Sequence, residues 1–507
     1  MGTVRDRNYP LDLISLAPDA DRPMHRQLCD QLRDLILNGA VPANSRLPSI
    51  RSCAAALNIS RNTVIAALDQ LTAEGLVQAQ RGSGITVAPS VALSQAGAAP
   101  SAGRPPELSA RGKLMASQPR VRTIPGHTAF HPGMPDLSEF PFKTWSRLLI
   151  RHARYGGEDL FGYHYILGHP QLRSAIARFL TTMRRVRCTP DQIVVTTGGQ
   201  AALDLLVRVL VDDGETIWME EPGYLGARGA FLAAGARLWP LDVGRDGWKT
   251  DTAGAPRPAL IYLTPSCQHP LGITMPLDQR LALLEAAREA DAWVIEDDFD
   301  GEYTFRGQPQ PAMQGLTENP RVIYLGTFAK MLFPAMRLGF MVVPEDIADR
   351  MKVALSLTGQ FAPLLLQATL ADFIDQGYFF RHLNRVRRIY GQRRALFTDL
   401  FRDHLSEWLD LYDGWSGIQI AAGFRTETDD AAVVARCKAE GINPAPLSLH
   451  YAQPPGRPGL LMGYATVPED DMRRGFATMR RLLESDPPGP APARRRAACR
   501  APEATHP

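Results

Sequence analysis

The sequence predicts two folded units of different class: a small α+β unit of three helices and a hairpin near the N-terminus, then a large α/β unit built on a mostly parallel sheet. Three observations predict them. A chain of 507 residues is too long for one small module, since domains run to roughly 100 to 200 residues each. Residues 89–119 break the hydrophobic patterning with a stretch rich in Ala, Pro, Gly and Ser, which reads as a flexible linker. Beyond it, helical periods alternate with short apolar runs, the pattern of a parallel sheet covered by helices on both faces.

Composition narrows the function classes. The formal net charge is only +3, so a nucleic-acid partner has to be recognised by a local patch rather than by bulk charge. A hydrophobic content of 45% with 21% charged residues is ordinary for a globular protein. The six cysteines lie far apart with no C-x-x-C pair, which argues against a disulfide framework or a cysteine-based metal site and for a reducing compartment. The N-terminus lacks an apolar signal region, and no run approaches the ~18 apolar residues of a membrane span. A soluble cytoplasmic protein without a metal is the expectation. The tail, residues 487–507, has too few large apolar residues to offset the entropy of ordering and is expected to be disordered, with Arg494, Arg495 and Arg496 solvated.

The small unit is placed at residues 20–88. Pro23 can open a first helix, Asn38-Gly39 can end it, and Leu28, Leu32, Leu35 and Ile36 form its apolar stripe. A second helix fits Ser49 to Leu57. Ser60 is a good N-cap for a third, in which Val64, Leu68 and Leu71 recur at helical spacing and face inward, so that Arg61 and Asn62 project from the first turn. Val77-Ala79 and Ile85-Val87 read as strands joined by a glycine-bearing turn. Three helices and a hairpin make a winged helix-turn-helix, whose third helix enters the major groove with its N-terminal residues foremost. Residues 44–88 carry only four arginines against Asp69 and Glu74, so one copy should bind weakly and a dimer is the natural expectation.

The large unit is placed at residues 120–485. Its apolar runs are Ile193-Val195, Thr216-Met219, Arg237-Leu241, Ala259-Leu263, Trp293-Glu296, Val322-Leu325 and Leu338-Val343. A sheet of this kind binds its ligand outside the carboxyl ends of its strands. The residues just after the runs are Thr197-Gly198-Gly199-Gln200, Tyr224, Gln268-His269-Pro270, Asp297 and Lys330: an anion cradle, an aromatic ring, polar donors, a carboxylate and an amine.

Lys330 is either a surface point charge or an amine held to form an imine with an aldehyde. Its neighbours favour the second reading. Thr327 and Arg337 offer a hydroxyl and a guanidinium for a phosphate, and Gly199 and Gln200 open a helical pattern whose first backbone N–H groups can hold the same anion. Asp297, at the end of an apolar run, needs a cation or a strong donor, and a protonated pyridine nitrogen would supply one. Tyr224 is placed to cover a ring face.

Two sets of motifs carry a resemblance. LPSIR and ISRNTVIAALDQLTAEGLVQAQRGSGITV resemble the GntR family of DNA-binding domains over residues 20–88. The resemblance implies that Arg51, Ser60, Arg61, Asn62 and Thr63 contact operator DNA, with Arg81 and Gly82 of the wing reaching the minor groove or backbone. VVTTGGQAALDLL, EEPGYLGAR, LTPSCQHPLGITM, VIEDDFDGEYTF and VIYLGTFAKMLFPAMRLGFMVVP resemble the fold type I aminotransferases. Joined in this order, they resemble the MocR subfamily of transcription regulators.

That resemblance implies a mostly parallel seven-stranded sheet, a smaller C-terminal α+β subdomain from about residue 375, and pyridoxal 5'-phosphate held as an internal aldimine on Lys330. It further implies Asp297 as the partner of the pyridine nitrogen and Tyr224 as the stacking ring. Thr327, Arg337, Gly199 and Gln200 are then the phosphate binders, and His269 a donor near the phenolic oxygen. A head-to-tail homodimer is implied as well. Three departures stand out. Phe299 replaces a tyrosine, Ala329 replaces a serine, and the late strand Leu460-Tyr464 contains no arginine for a substrate carboxylate, leaving Arg228, Arg425 and Arg457 as candidates.

Three functions remain open on the sequence. The first is a regulator that senses an amine or amino-acid effector through the cofactor. The second is an active aminotransferase carrying a DNA-binding head, and the third is a regulator that senses pyridoxal phosphate itself.

Overall fold

The structure, a computed structural model, describes residues 10–80, 84–90, 107–118, 129–308, 310–319, 321–412, 414–453 and 456–489. It divides into two compact units, residues 1–107 and 108–507. The tail beyond residue 489 and the wing tip with Arg81 and Gly82 lie outside the described residues.

In the first unit, α1 (Met24–Leu37) is followed by α2 (Ile50–Ala56), α3 (Arg61–Ala73) and the antiparallel hairpin of β1 (Val77–Gln80) and β2 (Gly84–Val87). Asn38 caps the end of α1, and Gly39 follows at φ 82°, a conformation that favours glycine. Leu28, Leu32 and Ile36 of α1 pack on Val64, Leu68 and Leu71 of α3. The core also takes in Leu11, Ile14 and Leu16, so it begins before the expected boundary at residue 20.

The second unit opens within the expected linker, where α4 (Ala110–Ser117) is capped by Ser109 and packs along the helix Leu225–Ala233. Next come α5 (Phe142–Tyr155), α6 (Pro170–Met183), β3 (Ile193–Thr196), α7 (Gly199–Leu210), β4 (Thr216–Glu221), α8 (Leu225–Ala233), β5 (Arg237–Gly244), β6 (Gly247–Trp248) and β7 (Leu260–Leu263). The large sheet continues with α9 (Leu277–Ala290), β8 (Trp293–Asp298), α10 (Met313–Leu316), β9 (Val322–Thr327), β10 (Gly339–Val342), α11 (Glu345–Thr358) and α12 (Leu364–Asp375). Its order is β3-β10-β9-β8-β7-β4-β5-β6. That is eight strands rather than the expected seven, because the two-residue β6 folds back antiparallel on β5. Strands β5, β4, β7, β8 and β9 run parallel, while β10 runs antiparallel between β3 and β9.

The strands alternate their side chains between two apolar layers. Val194, Tyr262, Ile295, Ile323 and Met341 pack under α7, α8 and α11, whereas Ile193, Val195, Tyr324 and Phe340 pack under α6 and α12. The smaller subdomain follows: α13 (Tyr378–His404), β11 (Leu409–Leu411), β12 (Gln419–Phe424), α14 (Asp430–Ala439), β13 (Ala445–Pro446), β14 (Gly459–Gly463) and α15 (Glu469–Ser485), with an antiparallel sheet in the order β11-β12-β14-β13. Phe130, upstream of α5, packs edge-on against Phe397 and Phe476 of this subdomain, which therefore draws on both ends of the unit. Among the described residues no helix is long and apolar enough to cross a membrane.

Because the first unit holds its own core, Leu68→Ala should destabilise it by about 3 kcal/mol through the lost burial and the residual cavity. Hydrogen exchange should read this as faster exchange confined to residues 11–88, with the large sheet unchanged.

Candidate functional site

The parallel strands bring their carboxyl ends to one edge, and β10 contributes its amino end there, since Gly339 pairs with both Thr196 and Thr327. That reversal is why Arg337, just before β10, reaches the same rim as Thr327 at the end of β9.

One end of the rim is built for an anion. Gly198 precedes α7 at φ 97°, a conformation that favours glycine, and the Arg337 Cζ lies 3.8 Å from the position a Cβ there would take, an ordinary contact distance. A Cβ on Gly339 would stand 3.0 Å from the Gly198 carbonyl carbon and 3.1 Å from the Gly199 nitrogen, so two glycines let the backbone close in. The first α7 bond is donated by Ala202 N–H to the Gly198 oxygen at 3.2 Å, which leaves the N–H groups of Gly199 and Gln200 ahead of it for a ligand. Gln200 contributes through its backbone. Its amide is engaged elsewhere, donating to the Gly226 oxygen at 2.8 Å and accepting from Tyr224 Oη at 3.3 Å. Thr327 Oγ1 accepts from Ala329 N–H at 3.2 Å and keeps its own proton to donate. Arg337 is exposed and makes no ion pair among the described residues.

The middle of the rim holds a carboxylate without a counter-charge. Asp297 is 8% exposed, and Tyr262 Oη donates to it at 2.7 Å. Burial pushes its pKa up to about 7, the Tyr262 hydrogen bond opposes this, and neighbouring Asp298 adds to it. Asp298 points the other way, pairs with Arg184 at 2.6 Å and accepts a hydrogen bond from Tyr324 Oη at 2.7 Å. Tyr224, held up to about 12 by burial and by Asp297, lies edge-on to His269 at 5.3 Å. His269 also meets Phe299 at 5.6 Å and His450 at 5.0 Å. Burial, with the nearby His450 and Lys330, holds His269 well below its ordinary pKa, so the ring is neutral at pH 7.

The amine, Lys330, follows β9. Lys330 Nζ donates to the Gly133 carbonyl, and a Cβ on Gly133 would fall 2.9 Å from that nitrogen. Burial lowers the Lys330 pKa, and Asp300 opposes the fall. Asp300 is itself 1% exposed with Oδ1 lacking a hydrogen-bond partner; burial raises it to about 7. Gln419 of β12 joins this group through a contact of its Nε2 with His269 Nδ1 at 3.4 Å. Sequence reasoning missed Tyr262, Gly133, Asp300 and Gln419. Only Asp300 carried a signal, as the third aspartate in the run IEDDFDGEY.

Two of the three candidate arginines are engaged with other partners. Arg228 is buried against Glu221 at 3.6 Å and donates to the carbonyls of Leu449 and His450. Arg425 pairs with Asp410 at 2.8 Å, and Arg457 is exposed beside Gly244.

In the head, Ser60 caps α3 by accepting from Thr63 N–H at 3.1 Å, and the two hydroxyls lie 2.9 Å apart. Arg51, Arg61 and Asn62 are exposed, and neither arginine forms an ion pair among the described residues. Arg46, whose guanidinium lies against Gly84 at the start of β2, adds a cation that the sequence pattern did not single out.

The donor set fits pyridoxal phosphate: an anion cradle, an uncompensated carboxylate and an enclosed amine on one rim. When bound, that group supplies a cationic ring that serves as an electron sink. The raised Asp297 value carries a sign. An unfolded chain would release this proton near its ordinary value, so between about pH 4 and pH 7 the folded protein holds the extra proton and loses stability as pH rises. Asp297→Asn in the cofactor-free protein should flatten the fall of Tm across that range. An unchanged slope by calorimetry would place the ionised carboxylate in a solvated environment.

Residues 135–487 match the family Aminotransferase class I and II, and residues 25–87 match the gntR family of bacterial regulatory proteins. The chain is 50% identical to the probable rhizopine catabolism regulatory protein MocR of Rhizobium meliloti over 92% of this chain and 95% of that protein. It is 30% identical to the pyridoxine biosynthesis transcriptional regulator PdxR of Corynebacterium glutamicum, over 91% of this chain and 96% of that one. The crystal structure of LysN, an α-aminoadipate aminotransferase from Thermus thermophilus complexed with N-(5'-phosphopyridoxyl)-L-leucine, is similar at 27% identity and a TM-score of 0.66, covering 70% of this chain and 92% of that one. With a GntR-type head joined to a class I and II aminotransferase domain, and with that identity across nearly its whole length, the chain belongs to the MocR subfamily of GntR-type regulators.

Proposed function

We propose that this protein is a pyridoxal-phosphate-dependent, DNA-binding transcription regulator whose large domain captures the cofactor on Lys330 and senses an amine or amino-acid effector. One observation carries the reading: an enclosed lysine shares a rim with a buried carboxylate that has no cation, in a chain whose head exposes unpaired arginines. In this reading Thr327, Arg337 and the N–H groups of Gly199 and Gln200 hold the phosphate, Asp297 holds the proton of the ring nitrogen, Tyr224 covers the ring, and His269 serves the phenolic oxygen. Arg51 and Arg61 meet the operator, Asn62 reaches base edges, and Ser60 and Thr63 fix the helix end against a phosphate. Arg81 and Gly82 complete the contact from the wing. A homodimer, arranged head to tail, places two weakly charged heads on one operator and multiplies their affinity by effective concentration. Work on operator DNA puts the protein in the cytoplasm.

The names of the two relatives as regulators support this reading. Retention of both Lys330 and Asp297 favours a second one, an active aminotransferase. The commitment of Arg228 and Arg425 elsewhere weighs against efficient handling of amino acids.

Adding pyridoxal phosphate to the full chain should produce a visible absorbance band that borohydride fixes on the peptide carrying Lys330, and Lys330→Ala should abolish both. Persistence of the band in that variant refutes the site. Arg61→Ala should weaken operator binding by roughly tenfold or more, as expected for loss of a groove contact, with the band intact. Equal loss of band and binding would refute a local role for Arg61. Ligand-dependent operator binding without turnover of an amino donor and a keto acid separates the regulator from the enzyme.

A further inference from the structure

The wing of the head is wider than its hairpin. Residues 44–47, which lead toward α2, lie along the edge of β2 that β1 leaves free. Leu47 N–H donates to the Ile85 oxygen at 2.8 Å, Val87 N–H donates to the Ser45 oxygen at 2.9 Å, and Arg46 stands opposite Thr86 in antiparallel register. Successive side chains on such a segment take opposite faces. Leu47 enters the core of the head, so Arg46 takes the outer face, where it is exposed.

On that face the diagonal neighbour of Arg46 is Gly84, two residues from Thr86 and the first residue of β2. The guanidinium leans toward it. Its Nε and Nη2 lie 3.3 and 3.4 Å from the position a Cβ on Gly84 would take, so a side chain there would crowd the cation. Gly84 also holds φ 84°, a conformation that favours glycine. The charge of Arg46 is thereby carried along the strand toward the end of β2 that adjoins residues 81–83. Other arginines of the head are engaged inside it: Arg22 and Arg33 pair with Asp30, and Arg33 pairs with Glu74 as well. Arg46 instead rests on a glycine, which positions the guanidinium without occupying its N–H donors. That planar fork matches two oxygens of a phosphate.

We infer, resting on the reading that the head binds operator DNA, that Arg46 is a phosphate-binding residue of the wing, its guanidinium gripping the DNA backbone beside the groove that Arg81 and Gly82 address, with Gly84 as its seat. A cation set just behind the residues that enter a groove meets the groove's edge, which phosphates line. Such a contact carries no sequence information and instead fixes how the wing is registered on the duplex. Residues 44–47 are joined by a short connection to Ser49, the N-cap of α2, so the same grip bears on the helix that carries Arg51.

The test uses the full-length, cofactor-loaded protein and two duplexes of equal length, one from the upstream region of its own gene and one with that sequence shuffled, over a salt series that begins where both bind. Arg46→Gln should weaken binding to the two duplexes by the same factor, roughly tenfold at 0.1 M salt, and should lower the slope of log affinity against log salt by about 0.9, the value of one phosphate contact. Arg46→Lys keeps the charge and should keep most of the slope. Both variants should melt as the wild type does and retain the visible band. An unchanged slope in Arg46→Gln overturns the inference. So does a loss confined to the upstream region, which assigns the guanidinium to base edges, and so does a loss that tracks a lowered Tm in both variants, which makes Arg46 a residue of wing folding. Failure of the underlying reading looks different: the wild type binds neither duplex at any salt, and Arg61→Ala alters nothing.

Discussion

A carboxylate taken out of water at the end of a buried strand is the constraint on which this site depends. Asp297 and Asp298 are neighbours on β8, and because successive side chains leave a strand on opposite faces, they meet opposite fates. Asp298 turns toward the end of α6, where Arg184 neutralises it, Tyr324 donates a hydrogen bond to it, and the helix is tied to the sheet. Asp297 turns toward the rim and, among the described residues, accepts a hydrogen bond from the Tyr262 hydroxyl. An ionised carboxylate so placed costs several kcal/mol unless a cation arrives, which is why its proton affinity rises when no ligand is present. The fold tolerates this cost because the rest of the sheet is packed tightly on both sides.

Much of this was legible in the sequence, for a physical reason. Parallel strands deliver their carboxyl ends to one edge, so reading the residue after each apolar run recovered Gly199, Gln200, Tyr224, His269, Asp297 and Lys330 without any knowledge of contacts. The same rule could not find Gly133, which precedes every strand of the large sheet, or Gln419, which begins a strand of the other sheet. Their places are set by tertiary closure of distant segments. Tyr262 was hidden for another reason, since inside a fully apolar run a tyrosine reads as core until its partner is known. The eighth strand was missed because two residues carry no periodic signal.

In the head, local chemistry did most of the work. Ser60 caps the start of α3, and Val64, Leu68 and Leu71 face α1. That cap has a consequence for recognition: the Ser60 and Thr63 side chains are bonded to each other and to the helix end, so they shape the tip more than they probe a base. On the proposed reading, base discrimination falls to the side chains left outside the cap, Arg61 and Asn62. Arg46 escaped notice because its position beside Gly84 is a product of hairpin closure, which no spacing in the helical part encodes.

The pocket is drawn from separate parts of the second unit: Lys330 and Asp297 from the large sheet, Gln419 from β12 of the small one, and Gly133 from the segment upstream of α5. This matters for any switch. A ligand touching the large sheet alone binds equally well wherever the small sheet stands, and equal affinity for two arrangements shifts neither. A ligand that bridges Lys330 and Gln419 distinguishes arrangements that hold those residues together from arrangements that part them. Catalysis needs that bridge only transiently, whereas regulation needs it to persist. The enclosed Lys330, held by the Gly133 carbonyl, and Gln419 of the small sheet are the two ends such a ligand would span.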